Sequence, residues 1–102
     1  MSQWIYRIEP NRPGIVESRT DEESSVLAER EAYLRALKDA GILLLSGRTR
    51  VEEGVFGVTI FEAPDEASAR AVMRTDPAVS AGVMRAELYP YAVARVREPL
   101  AD

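Results

Sequence analysis

The sequence predicts one α+β domain whose elements run strand, helix, strand, strand, helix, strand. Three observations carry this. The first segment alternates apolar and polar residues with period two, and the last carries Leu88, Tyr89, Tyr91, Val93 and Val96; a capped helical stripe follows the first; and two β-rich runs separated by a short acidic gap lie between two helical stretches. That βαββαβ order is the ferredoxin-like arrangement, in which right-handed crossovers place both helices on one face of a four-stranded antiparallel sheet.

Trp4-Ile5-Tyr6-Arg7-Ile8-Glu9 alternates, with Trp4, Tyr6 and Ile8 on one face, and Pro10 ends it. Asn11 to Gly14 is a turn cluster, and no clean period extends to Arg19. Thr20 and Glu23 have capping-box spacing: the hydroxyl accepts from the amide three residues on, and the carboxylate reaches back. Asp21, Glu22 and Glu23 add negative charge at the positive helix end. Val26, Leu27, Tyr33, Leu34 and Leu37 then share a helical face, and Gly41 supplies the stop.

Ile42 to Leu45 is apolar on both faces, so the strand it opens calls for cover on both sides. Glu52-Glu53-Gly54 separates it from a strand over Val55 to Phe61, an antiparallel hairpin. Asp65 caps a second helix over Ser68, with Ala69, Val72 and Met73 as its buried stripe. Asp76-Pro77 closes that helix, because the residue before proline is pushed out of the helical region. A turn from Ala78 to Gly82 leads to a last strand over Ala86 to Val96, where Pro90 requires an edge or a bulge. Residues 1–96 are expected to form the domain and 97–102 a polar tail.

Two helices cover one sheet face only. A bare apolar second face exceeds what a monomer usually exposes, so a homodimer joined through that face is expected.

At 102 residues the chain fits one core and should bury about 65% of its unfolded surface. It has no Cys and no His. That excludes a disulfide framework, a thiolate nucleophile, an imidazole base and His metal ligands. Thirteen Lys+Arg against 17 Asp+Glu give a net charge of −4, which argues against a duplex-binding surface. No apolar run reaches the roughly 20 residues of a membrane span, and the first residues lack the pattern of a signal peptide. A cytoplasmic protein with no cofactor is expected.

Two charges interrupt apolar stripes. Arg30 sits among Val26, Leu27, Tyr33 and Leu34, and Asp76 continues the 69, 72, 73 stripe. Because the two helices run antiparallel in this topology, an Arg30–Asp76 ion pair is geometrically reasonable and would be charge-assisted. The plainer readings are a snorkelling Arg30 and an Asp76 that merely caps the turn at Pro77.

The ordered set Thr20-Asp21-Glu22-Glu23, Glu29 to Leu34, Gly41 to Gly47, Asp65 to Arg70, Asp76-Pro77 and Ala81-Gly82-Val83 resembles the YciI-like (YCII-related) family over nearly the whole chain. The resemblance implies a dimeric α/β-barrel with a pocket beside the helices. It also implies an active pair made of a first-helix His and the Asp of Asp-Pro. Aligning Tyr33-Leu34 puts Arg30 where relatives carry His. An arginine stays protonated at working pH and cannot act as a base. The family's Gly-Pro after the second strand is Gly47-Arg48 here.

On this basis Asp76 is the candidate catalytic residue, and Arg30, Arg48, Tyr33 and Tyr6 are candidate binding residues; Thr49 and Glu31 are further polar candidates. Ser24 and Ser25 have no base to activate them. Gly54 and Gly57 make no phosphate loop. The first functional expectation is a small anionic or lactone-like molecule bound near Arg30 and Asp76. A second is a lyase, isomerase or dehalogenase with Asp76 as general base. The third is a structural or regulatory dimer module.

Overall fold

A computed structural model describes residues 1–15 and 17–97. The expected tail therefore falls outside the described residues apart from Arg97. The elements are β1 (Ser2–Pro10), α1 (Asp21–Asp39), β2 (Leu43–Arg48), β3 (Gly57–Ala63), α2 (Glu66–Thr75), α3 (Pro77–Ser80) and β4 (Met84–Tyr91). The antiparallel sheet runs in the order β2-β3-β1-β4, the ferredoxin-like topology expected from the sequence.

Local chemistry sets the long helix. The Thr20 hydroxyl accepts from the Glu23 amide at 3.1 Å, and the Glu23 carboxylate accepts from the Thr20 amide at 2.8 Å. At the other end Gly41 (φ +76°) turns left-handed, the Gly41 amide donates to Lys38 and the Ile42 amide donates to Leu37. These bonds hold Ile42 to the helix end, so β2 starts at Leu43, one residue later than its apolar run suggests.

The remaining differences lie in the hairpin and after α2. Val55 and Phe56 belong to the connection, not to the third strand. Thr49 closes the hairpin ahead of the ladder: its amide donates to the Phe56 carbonyl at 2.9 Å, and its hydroxyl accepts from the Phe56 amide at 3.1 Å. The turn expected after Asp76 is the short helix α3, with Pro77 in its first turn and Asp76 as N-cap. The last strand begins two residues early and stops at Tyr91. Pro90 lies on it opposite Trp4, and β4 is an edge strand, which leaves no ladder partner short of a donor.

The core lies between one sheet face and the helices. Trp4, Tyr6 and Ile8 of β1 and Phe61 and Ala63 of β3 pack with Ala69 and Met73 of α2. Tyr6 meets Phe61 edge-on, ring centres 5.8 Å apart. Gly57 is required at a close approach: a Cβ there would lie 3.0 Å from the Gly47 carbonyl and 3.2 Å from the Ile8 side chain. On the opposite face the register lines up Leu45, Ile60, Ile5 and Tyr89 in one row across all four strands. The ends of that row are open, Leu45 at 42% exposure and Tyr89 at 47%. Among the described residues no helix is long and apolar enough to cross a membrane.

Candidate functional site

Asp76 is fully buried, at the point where α2 gives way to α3. Its Oδ1 accepts from the Ala78 amide at 3.0 Å, the capping contact. Its Oδ2 accepts from the Tyr6 hydroxyl at 2.7 Å and from Arg30 Nε at 3.0 Å. Capping and ion pairing, alternatives in the sequence, are both realised, one on each oxygen. The Arg30 contact is single, not bidentate: Nη2 turns instead to the hydroxyl of buried Thr59 at 3.4 Å. A buried carboxylate is tolerated only with donors and a compensating charge, and Asp76 has three donors, one of them cationic.

The arrangement draws in four elements. Tyr6 comes from β1, Thr59 from β3, Arg30 from α1 and Asp76 from the α2–α3 junction. Burial, reinforced by the charge of Asp76, pushes the Tyr6 hydroxyl well above its ordinary pKa, so it remains a donor. Tyr33 is half-buried and donates to the Val72 carbonyl at 2.7 Å, tying α1 to α2. Burial first, then the charge of Asp76, pushes its pKa up to about 12. No buried side-chain polar atom among the described residues lacks a partner.

Beside this brace a cleft of about 710 Å³ runs along α1, walled on the other side by β2 and the hairpin. Arg30 and Arg48 line it, as does Glu31. Asp76, Tyr6 and Tyr33 do not; they stand behind it, within the protein. The cleft also gathers three cations that the sequence reading passed over: Arg19, Arg35 and Lys38. Each reads in sequence as part of a solvated face. The available signal was spacing: Glu31, Arg35 and Lys38 share a helix face with Leu27 and Leu34.

The electrostatics of the cleft oppose those of the chain. Among the described residues five cations line it against one carboxylate, Glu31, in a protein of net charge −4. Among the described residues Arg19, Arg35, Lys38 and Arg48 take part in no salt bridge, whereas Arg7, Arg12, Arg30, Arg70 and Arg85 do. The contacts of Arg30 use Nε and Nη2; Nη1 has no protein partner among the described residues. No group of three or more potential metal-ligating side chains occurs among them.

One layer of helices on a β2-β3-β1-β4 antiparallel sheet, with a cleft along the long helix, is a ferredoxin-like unit. The YCII-related domain matches residues 4–91, and the chain belongs to that family. Among solved structures it is similar to the 5-chloro-2-hydroxyhydroquinone dehydrochlorinase TftG from Burkholderia phenoliruptrix AC1100, in complex with 2,5-dihydroxybenzoquinone. That match has 20% identity and a TM-score of 0.64, over 87% of this chain and 93% of TftG. The cofactor-independent oxygenase SnoaB from Streptomyces nogalater matches at 14% identity and a TM-score of 0.44, over 96% of each chain. No curated protein matches the sequence.

Proposed function

We propose that the domain, residues 1–96, binds a small anionic molecule in the α1 cleft, with Arg30 as the inner anchor and Arg48 at the wall. The observation that carries this is the concentration of cations around one cavity of an acidic chain, four of them in no salt bridge among the described residues. The cavity volume is in the range of small-molecule sites. Asp76, Tyr6 and Thr59 serve as the brace that fixes the Arg30 guanidinium, leaving Nη1 for the ligand. An enzymatic reading with Asp76 as general base has weaker support, because both of its oxygens already accept hydrogen bonds and the side chain has no exposed surface.

The same reading includes a homodimer through the open sheet face, where the Leu45, Ile60, Ile5 and Tyr89 row would be shielded by its copy. It also includes residence in the cytoplasm. The binding test is calorimetric titration with carboxylates and lactones. We expect carboxylates to bind wild type and to lose about tenfold in affinity with Arg30→Gln, and less with Arg48→Gln. Unchanged affinity in both variants would overturn the reading.

A further inference from the structure

The cations of the cleft are not spread evenly. Arg30, Leu34 and Lys38 follow one another at four-residue spacing along α1, so each is about 6 Å from the next along the helix axis. Leu34 is buried and lines the cleft midway between the two charges. Arg35 stands on the Lys38 side of Leu34, less than a turn from the lysine.

The facing wall repeats this division. Gly41 reverses the chain, so β2 runs back along α1 from Leu43. At about 3.3 Å per strand residue, Arg48 lies about 16 Å back from Leu43, level with the Arg30 part of the helix. Leu43, beside the Lys38 end, is apolar and also lines the cleft. Ile8 and Phe56 line it as well. The cavity thus has a cationic pole at Arg30 and Arg48, a second at Arg35 and Lys38, and an apolar waist at Leu34. Along α1 Arg35 lies about 7.5 Å and Lys38 about 12 Å from Arg30.

From this we infer that the ligand is an elongated dianion, two anionic groups joined by an apolar middle, with one head on Arg30 and Arg48 and the other on Arg35 and Lys38. The inference rests on the anion-binding reading above and specifies its ligand class. A singly charged molecule engages one pole and leaves the other cationic pair unpartnered. A compact dianion such as succinate is too short to reach both. Among the described residues the one lining carboxylate, Glu31, follows Arg30 directly and stands one turn before Arg35, nearer the Arg30 pole than the Leu34 waist.

Calorimetric titration with the α,ω-dicarboxylates from succinate to sebacate, and with octanoate as the single-headed control, tests this. The expected result is affinity that rises with chain length, with suberate or sebacate bound about fivefold more tightly than octanoate. The variant Arg35→Gln/Lys38→Gln changes exposed side chains and spares the buried brace. It should bring the long diacids down to the affinity that octanoate has for the same variant. If octanoate matches the long diacids in wild type, or if the variant leaves the diacid preference intact, the two-headed ligand is overturned and the anion reading stands. If no carboxylate binds, both fail together.

Discussion

The Arg12–Glu23 and Arg30–Asp76 contacts use the same functional groups in opposite surroundings. Arg12 meets Glu23 with two nitrogens, Nε at 3.0 Å and Nη2 at 2.6 Å, the better geometry of the two, yet the side chains are 43% and 14% exposed, so water reaches both beside the start of α1. Arg30 meets Asp76 with one nitrogen at 3.0 Å, and the side chains are 13% and 0% exposed. Exposed pairs are screened by water and contribute little, even when well formed. A buried pair cannot lose one member without stranding the other charge. Context, more than contact count, sets the dependence of the fold on each pair.

The largest expected effect breaks the buried pair. Asp76→Ala leaves the Arg30 guanidinium, the Tyr6 hydroxyl and the Ala78 amide without their acceptor, and should cost about 3–5 kcal/mol in a denaturant titration. A loss below about 1 kcal/mol would place Asp76 with the exposed class and end the contrast.

Tyr6→Phe sharpens the comparison by removing one donor and keeping the ion pair. The expected cost is about 1–2 kcal/mol. The raised pKa of Tyr6 also has a sign: its stabilising share is complete below the unfolded value of 10.0 and is lost as pH rises above it, where only the unfolded chain releases the proton. Stability curves of wild type and Tyr6→Phe should therefore approach one another above pH 10, and parallel curves would contradict the burial of this hydroxyl beside Asp76.

The smallest effect belongs to the exposed pair. The Arg12 guanidinium first, and then the Thr20 amide, hold Glu23 down at about 2 against an ordinary 4.5. A depressed carboxylate stabilises above its unfolded pKa and loses that share as pH falls through the folded value. The difference between wild type and Glu23→Gln should thus be whole above pH 4.5 and fade toward pH 2. It should also shrink in high salt, as screening of exposed charges requires. A salt-insensitive difference would mean that Glu23 acts through the capping box alone.

Legibility in the sequence follows the same divide between local and distant causes. The ends of α1 could be read because Thr20, Glu23 and Gly41 act on neighbours within a turn. The charged couple could be read because Arg30 and Asp76 break apolar periodicities that topology then brings together. The start of β3 could not: Val55 and Phe56 have β-strand composition, and the Thr49 contact that claims Phe56 spans the hairpin. Nor could the cleft: Arg35 and Lys38 share a helix face with Leu27 and Leu34, but that spacing alone does not separate a binding cation from a solvated one.

The order of elements, the caps of both long helices and the clash of two charges with their apolar faces were settled by the amino-acid sequence, since each depends on periodicity or on groups a few residues apart. Which donor occupies which oxygen of Asp76, the exposed row across the second sheet face, and the gathering of cations around one cavity were decided by tertiary structure. Those features depend on register and on helix-to-sheet placement, and a strand shifted by one residue would have turned each of them to the other side.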